Sequence, residues 1–185
     1  GSPEGLTPLL QLVKERDHAP YGWRQRAVKA LGVCGDLRAV RALLNVYDDP
    51  EDHFSQEALE ALGHMSRSEV AGEVRARLIA ALTQPSLVEV AIKGIGHMNH
   101  AETWGALRLA VRREQLSARH QTLALEVLQG DSADETLELF TWLLSRAQDV
   151  TRQRADSVKL AAYKGWRARL GALPELTDEL DPQTL

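Results

Sequence analysis

The sequence predicts an all-α protein built as an α-solenoid, a stack of about four and a half helix pairs. Three observations predict it. One phrase returns along the chain, as AVKALGVCGD from Ala27, ALEALGHMSR from Ala58 and AIKGIGHMNH from Ala91. Each phrase is followed by a segment whose apolar residues fall on one helical face. Apolar residues make up 44% of the chain and aromatics only 5%, which suits helices packed through small and medium side chains.

The elements follow in chain order. Residues 6–16 read as a helix that precedes the repeats as a half-repeat or cap. The first helix of each pair is anchored on Ala27, Ala58, Ala91, Ala124 and Ala161, spaced 31, 33, 33 and 37 residues apart. Directly after the anchors come Val28, Leu59, Ile92, Leu125 and Ala162; four after come Leu31, Leu62, Ile95, Leu128 and Gly165. Four before stand Trp23, Phe54, Leu87, His120 and Ser157. Five after stand Gly32, Gly63 and Gly96, expected to permit a sharp turn, and then Gln129 and Trp166. The second helices carry Val40, Leu43 and Tyr47, then Ala71, Val74 and Leu78, then Trp104, Leu107 and Val111, then Leu137, Phe140 and Leu144. Gly35 and Asp36 join the first pair, with Asp36 placed to cap the second helix. Pro50 and Pro85 fall between pairs, where proline suits a first helical turn. A lone helix pair cannot bury its apolar face, so stacking neighbours must complete the core.

Residues 23–49, WRQRAVKALGVCGDLRAVRALLNVYDD, resemble the short bacterial HEAT repeat, the type first noted in phycobilisome lyase subunits. The features that carry the resemblance are Val28, Ala30-Leu31-Gly32, Gly35-Asp36, Ala39-Val40, Leu43-Leu44 and Asp49. It extends over about residues 20–170, strongly in three repeats and loosely after. The resemblance implies a right-handed superhelix that serves mainly as a binding surface. Residues 3–173 are expected to form one repeat domain, 174–185 an acidic cap or tail, and Gly1 and Ser2 an expression scar.

Charge and composition exclude several classes. The net charge of −4 counts against a generic nucleic-acid binder. The single cysteine, Cys34, allows no disulfide within the chain and points to a reducing, cytoplasmic setting. No apolar run approaches the ~18 residues of a membrane span.

The repeated Gly-His-Met places His64 and His97 in register in adjacent layers, with His100 nearby. No carboxylate accompanies the pair in register, and helix C-termini favour histidine for dipole reasons, so no metal or cofactor is expected. Cys34 occupies the slot of Met65 and Met98, a soft packing position. Two enzyme classes with HEAT-like folds offer comparisons. Deoxyhypusine hydroxylases hold iron with His-Glu dipeptides, and this chain has none. Alkylpurine DNA glycosylases use a basic concave face, for which Arg38, Arg41, Arg112, Arg113 and Trp142 are the candidates.

The remaining signal is a column on the second helices. Two residues after Leu43, Val74, Leu107 and Phe140 stand Asn45, Ala76, Leu109 and Trp142, about half a turn from the core stripe. Leu109 and Trp142, flanked by Arg113 and Arg146, have the composition of an interaction hot spot. The expected function is therefore a non-catalytic scaffold whose concave face binds a protein partner through Leu109, Arg113, Trp142 and Arg146, with Arg38 and Arg41. The alternative is a nucleic-acid-binding protein using the concave arginines Arg38, Arg41, Arg112 and Arg113; a pigment-lyase-like enzyme subunit ranks third. In residues 151–170, six bases face one acid, and 174–185 holds four acids and no base, so the tail is expected to fold back on the basic segment.

Overall fold

Helical spacing of alanine and leucine produces an all-α chain in the computed structural model, which describes residues 3–15, 20–65, 70–146 and 152–170. Among the described residues there are ten helices and no strand. They fall into two compact units, residues 1–103 and 104–185.

In the first unit, α2 (Tyr21–Leu31), α4 (Ser55–Gly63) and α6 (Val88–Met98) pack side by side, with α4 between the other two. Their paired helices are α3 (Leu37–Asp48), which lies on α4, and α5 (Ala71–Ala81), which lies on α4 and α6. The half-repeat is α1 (Pro3–Lys14), held to α2 and α3 and burying Leu6 and Val13. Ala27, Ala58 and Ala91 are buried with Val28, Leu59 and Ile92, and with Leu31, Leu62 and Ile95. Asp36 caps α3 by accepting from the Arg38 backbone N–H at 2.8 Å, and Gly35 before it takes φ 64°, a conformation that favours glycine.

Three details differ from the sequence reading. Gly32 sits at φ −58°, and neither Gly63 nor Gly96 has positive φ, so these glycines do not supply turn conformations. Gly32 and Gly63 are small because layers touch there. A Cβ on Gly32 would stand 2.8 Å from the Ala61 Cβ, and one on Gly63 would stand 2.6 Å from the Gly94 Cα. Pro50 and Pro85 lie in the turns ahead of α4 and α6, outside the first helical turns. Finally, Phe54 and Leu87 are buried as their column requires, but Trp23 is 61% exposed. Its neighbour Arg24 takes the inward position instead.

Arg24 is buried under a full set of partners. Its guanidinium forks onto the carboxylate of Asp52, with Nη1 donating to Oδ1 at 3.0 Å. Its Nε donates to the Val13 carbonyl at the end of α1 at 3.0 Å. Asp52 Oδ1 also accepts from the Phe54 N–H at 3.0 Å. The Phe54 ring stacks beneath the guanidinium, centroid to Cζ 5.1 Å, and Tyr21 leans on that ring at 4.7 Å. One ion pair thus ties together α1, α2 and the loop ahead of α4.

The second unit contains α7 from Trp104 onward (α7 spans Ala101–Arg112), α8 (Ala118–Leu128), α9 (Asp134–Arg146) and α10 (Arg152–Leu170). Ala124, Leu125 and Leu128 are buried on α8, as are Ala161, Ala162 and Gly165 on α10, so the weaker repeats keep the same inward column. α10 packs on both α8 and α9, and Gly165 lies against the Phe140 ring, 2.5 Å from where a Cβ would meet it. The segment 174–185 and most of the basic side chains at the start of α10 lie outside the described residues.

Candidate functional site

The face singled out by the sequence is built on α7 and α9. Trp104, Leu107 and Val111 turn one side of α7 into the core, which drives Leu109 and Arg113 to the opposite side. Leu109 is 44% exposed and Arg113 is exposed. Phe140, fully buried, sets the phase of α9 and leaves Trp142 half-buried. Asn45 and Ala76, the earlier members of the column, are exposed on α3 and α5.

Arg112 rather than Arg113 reaches the indole. Its guanidinium carbon lies 5.6 Å from the Trp142 ring centroid, joining α7 to α9 at this face. Helix phase alone put Arg113 in line with Leu109; it does not say on which side the neighbouring helix stands, and that decides the Arg112 contact. The Arg146 side chain lies outside the described residues. Arg38 and Arg41 belong to α3 in the first unit, exposed, with Arg38 held to Asp36 at 3.1 Å.

The unit is also tied internally. Arg108 pairs with the Asp131 carboxylate, which also receives the Thr136 hydroxyl. Asp131 Oδ1 accepts from the Ala133 N–H at 3.1 Å. From α10, Arg169 donates to the carbonyls of Asp131, Ser132 and Ala133, so one guanidinium caps the α8–α9 loop. Neither cluster was visible in the sequence, because the partners stand 23 to 38 residues apart.

Several arginines in the described part of the chain hold carboxylates. Besides Arg24 and Arg108, Arg75 binds Glu102 at 2.8 Å and Arg77 binds Asp48 at 2.7 Å.

His64, just past the end of α4, and His97 on α6 meet as a tilted pair, with ring centroids 4.2 Å apart and planes inclined by 38°. The contact sits beside the Gly63–Gly94 crossing, which brings the two helix ends together. His100 is used elsewhere: its Nδ1 accepts from the Glu102 N–H at 3.2 Å, at the start of α7. No group of three or more metal-ligating side chains stands together among the described residues. Cys34 is half-buried and its thiol donates to the Ala30 carbonyl at 3.4 Å; Met65 and Met98 are buried in the equivalent slot.

Burial lowers the pKa of His97 from the usual 6.5, the neighbouring His64 lowers it further, and Glu60 partly opposes both. A lowered folded-state value means that the neutral imidazole is the form the fold favours. Its contribution is present above the unfolded pKa near 6.5, declines as pH falls below it, and is gone once the folded value is passed. The urea midpoint should therefore fall between pH 7.5 and pH 5, and fall less in His97→Gln. An equal fall in both proteins would assign the pH dependence to other groups.

Residues 23–49, spanning α2, the Gly35–Asp36 turn and α3, match the family model of the PBS lyase HEAT-like repeat. A search of curated proteins finds no match to the chain. No helix among the described residues is long and apolar enough to cross a membrane.

Proposed function

We propose, from an all-α chain whose helix pairs are of the HEAT-like type, that this protein is a non-catalytic binding module that recognises a protein partner through α7 and α9. The observation that carries the reading is the Arg112–Trp142 contact beside exposed Leu109. It offers an aromatic plate, an aliphatic side chain and exposed guanidinium groups on one surface, the mixture that anchors protein interfaces. The Arg108–Asp131 pair and the Arg169 contacts tie α7, the α8–α9 loop and α10 together, and such a tied frame lowers the ordering cost of binding. The exposed leucine beside the indole supports a protein ligand over a phosphate backbone, which would reward the cations alone.

The test is affinity capture from the source cell, followed by titration of the captured partner. Trp142→Ala should weaken binding by ~2 kcal/mol or more, about 30-fold, and Leu109→Asp should weaken it comparably. Because Leu109 is exposed and Trp142 is not part of the buried core, the melting temperature should move by only a few degrees. Unchanged binding by both variants would sink the reading. So would a partner whose affinity depends on Arg38 and Arg41 alone.

A further inference from the structure

α10 presents an outward line that no described residue covers. Ala161, Ala162 and Gly165 face inward, and Leu160, Lys164 and Arg167 fall on the opposite side, all exposed. Leu160 is 47% exposed, which puts an apolar side chain in this line. Every charged residue from 157 to 170 is a base: Lys159, Lys164, Arg167 and Arg169. Arg169 is engaged with the α8–α9 loop, whereas Lys159, Lys164 and Arg167 make no ion pair among the described residues. The face is thus a leucine followed by two cations at helical spacing, an apolar spot with a positive flank.

We propose that this face is the docking surface for the chain's own acidic segment, residues 174–185. That segment contains Glu175, Asp178, Glu179 and Asp181, no lysine or arginine, and two leucines, Leu176 and Leu180, among the acids. Its chemistry mirrors the face in both charge and apolar content. Reach is adequate. Along a helix, Arg167, Lys164 and Leu160 lie about 4, 9 and 15 Å back from Leu170. Five residues, 171–175, can span up to ~17 Å, so a returning chain can bring Glu175 to Arg167. Five more bring Leu180 to the level of Leu160. Gly171 and Pro174, just past the helix, are the residues that end a helix and turn a chain. An exposed leucine in the line favours a protein segment over a phosphate backbone, which would reward the cations alone. The short tether gives the segment a high effective concentration at this face, an advantage over any free acidic peptide.

Amide hydrogen exchange on the full chain tests the proposal. In dilute buffer, exchange within 175–181 should be slowed about tenfold relative to an unstructured peptide of the same sequence, the population shift a few surface ion pairs supply. Raising salt to 1 M, where screening reaches ~3 Å, should abolish most of that protection. Lys164→Glu with Arg167→Glu should abolish it at low salt, and adding Asp178→Lys and Glu179→Lys should restore it. Both cations are exposed, so circular dichroism should show each variant folded. Peptide-like exchange in the parent chain, or protection that survives the first charge reversal, overturns the proposal. Protection that appears only as protein concentration rises would place the segment on a second copy, and also overturns it.

Discussion

Gly63→Ala is expected to cost the first unit about 3 kcal/mol, the upper range for forcing extra volume into a packed contact. The added Cβ would stand 2.6 Å from the Gly94 Cα, and a backbone atom cannot swing aside as a side-chain end can. To make room, α4 and α6 must separate, and the buried row of Ala58, Leu62, Ala91 and Ile95 separates with them. Gly94→Ala is the informative comparison. Its Cβ would meet the Leu78 Cδ2 at 2.7 Å, the far end of a flexible side chain, and the Gly63 Cα only at 3.4 Å. That variant should lose distinctly less. Gly22→Ala, on an open helical surface with nothing within 4 Å, should gain up to about 1 kcal/mol from helix propensity. Urea unfolding of the three proteins orders them. Equal losses at Gly63 and Gly94 would mean that the two helices are not in backbone contact.

Asp52→Ala is expected to cost about 3–5 kcal/mol, because it strands the buried Arg24 guanidinium without its carboxylate. The Phe54 N–H loses its acceptor in the same step. Replacing both charges, as in Arg24→Met with Asp52→Leu, should recover most of the loss, since a buried pair is worth little more than a well-packed apolar one. A double-mutant cycle in guanidinium chloride measures this. If Asp52→Ala alone costs under 1 kcal/mol, the pair is open to water and the packing described around it is wrong.

The core was legible in the sequence because repetition averages out local noise. The alanine anchors from Ala27 to Ala161 are all buried, although their later neighbours scarcely resemble the first phrase. A small residue at a layer contact is a steric necessity, and it persists after other similarity fades. What escaped the reading was polar chemistry inside the same pattern. Three residues before each anchor stand Arg24, Ser55, Val88, Gln121 and Val158, and Arg24, Val88 and Gln121 are buried. An arginine in a column that elsewhere holds valine implies a buried carboxylate, but periodicity does not say which of Asp48, Asp49, Glu51 or Asp52 supplies it. Trp23 misled for the same reason: its column holds buried Phe54 and Leu87, and only the Arg24–Asp52 pair shows why that helix is turned. At the candidate face, the exposed Leu109 was readable from helix phase, whereas the Arg112–Trp142 contact depends on how two helices lie side by side.

The glycine contacts also bear on how such a chain can lengthen. Gly32 rests on Ala61, and Gly63 rests on Gly94; in each case the lower residue lies three positions after the next anchor. The corresponding residue of the first repeat is Ala30. A tandem duplication of residues 23–53 would therefore set the first Gly32 over a second Ala30, and the second Gly32 over Ala61, as now. Both junctions would close without a new clash. A duplicate carrying valine at that position, as Val127 does in the second unit, would hold its neighbour apart. By this contact, the early repeats are the ones that a tandem duplication could copy.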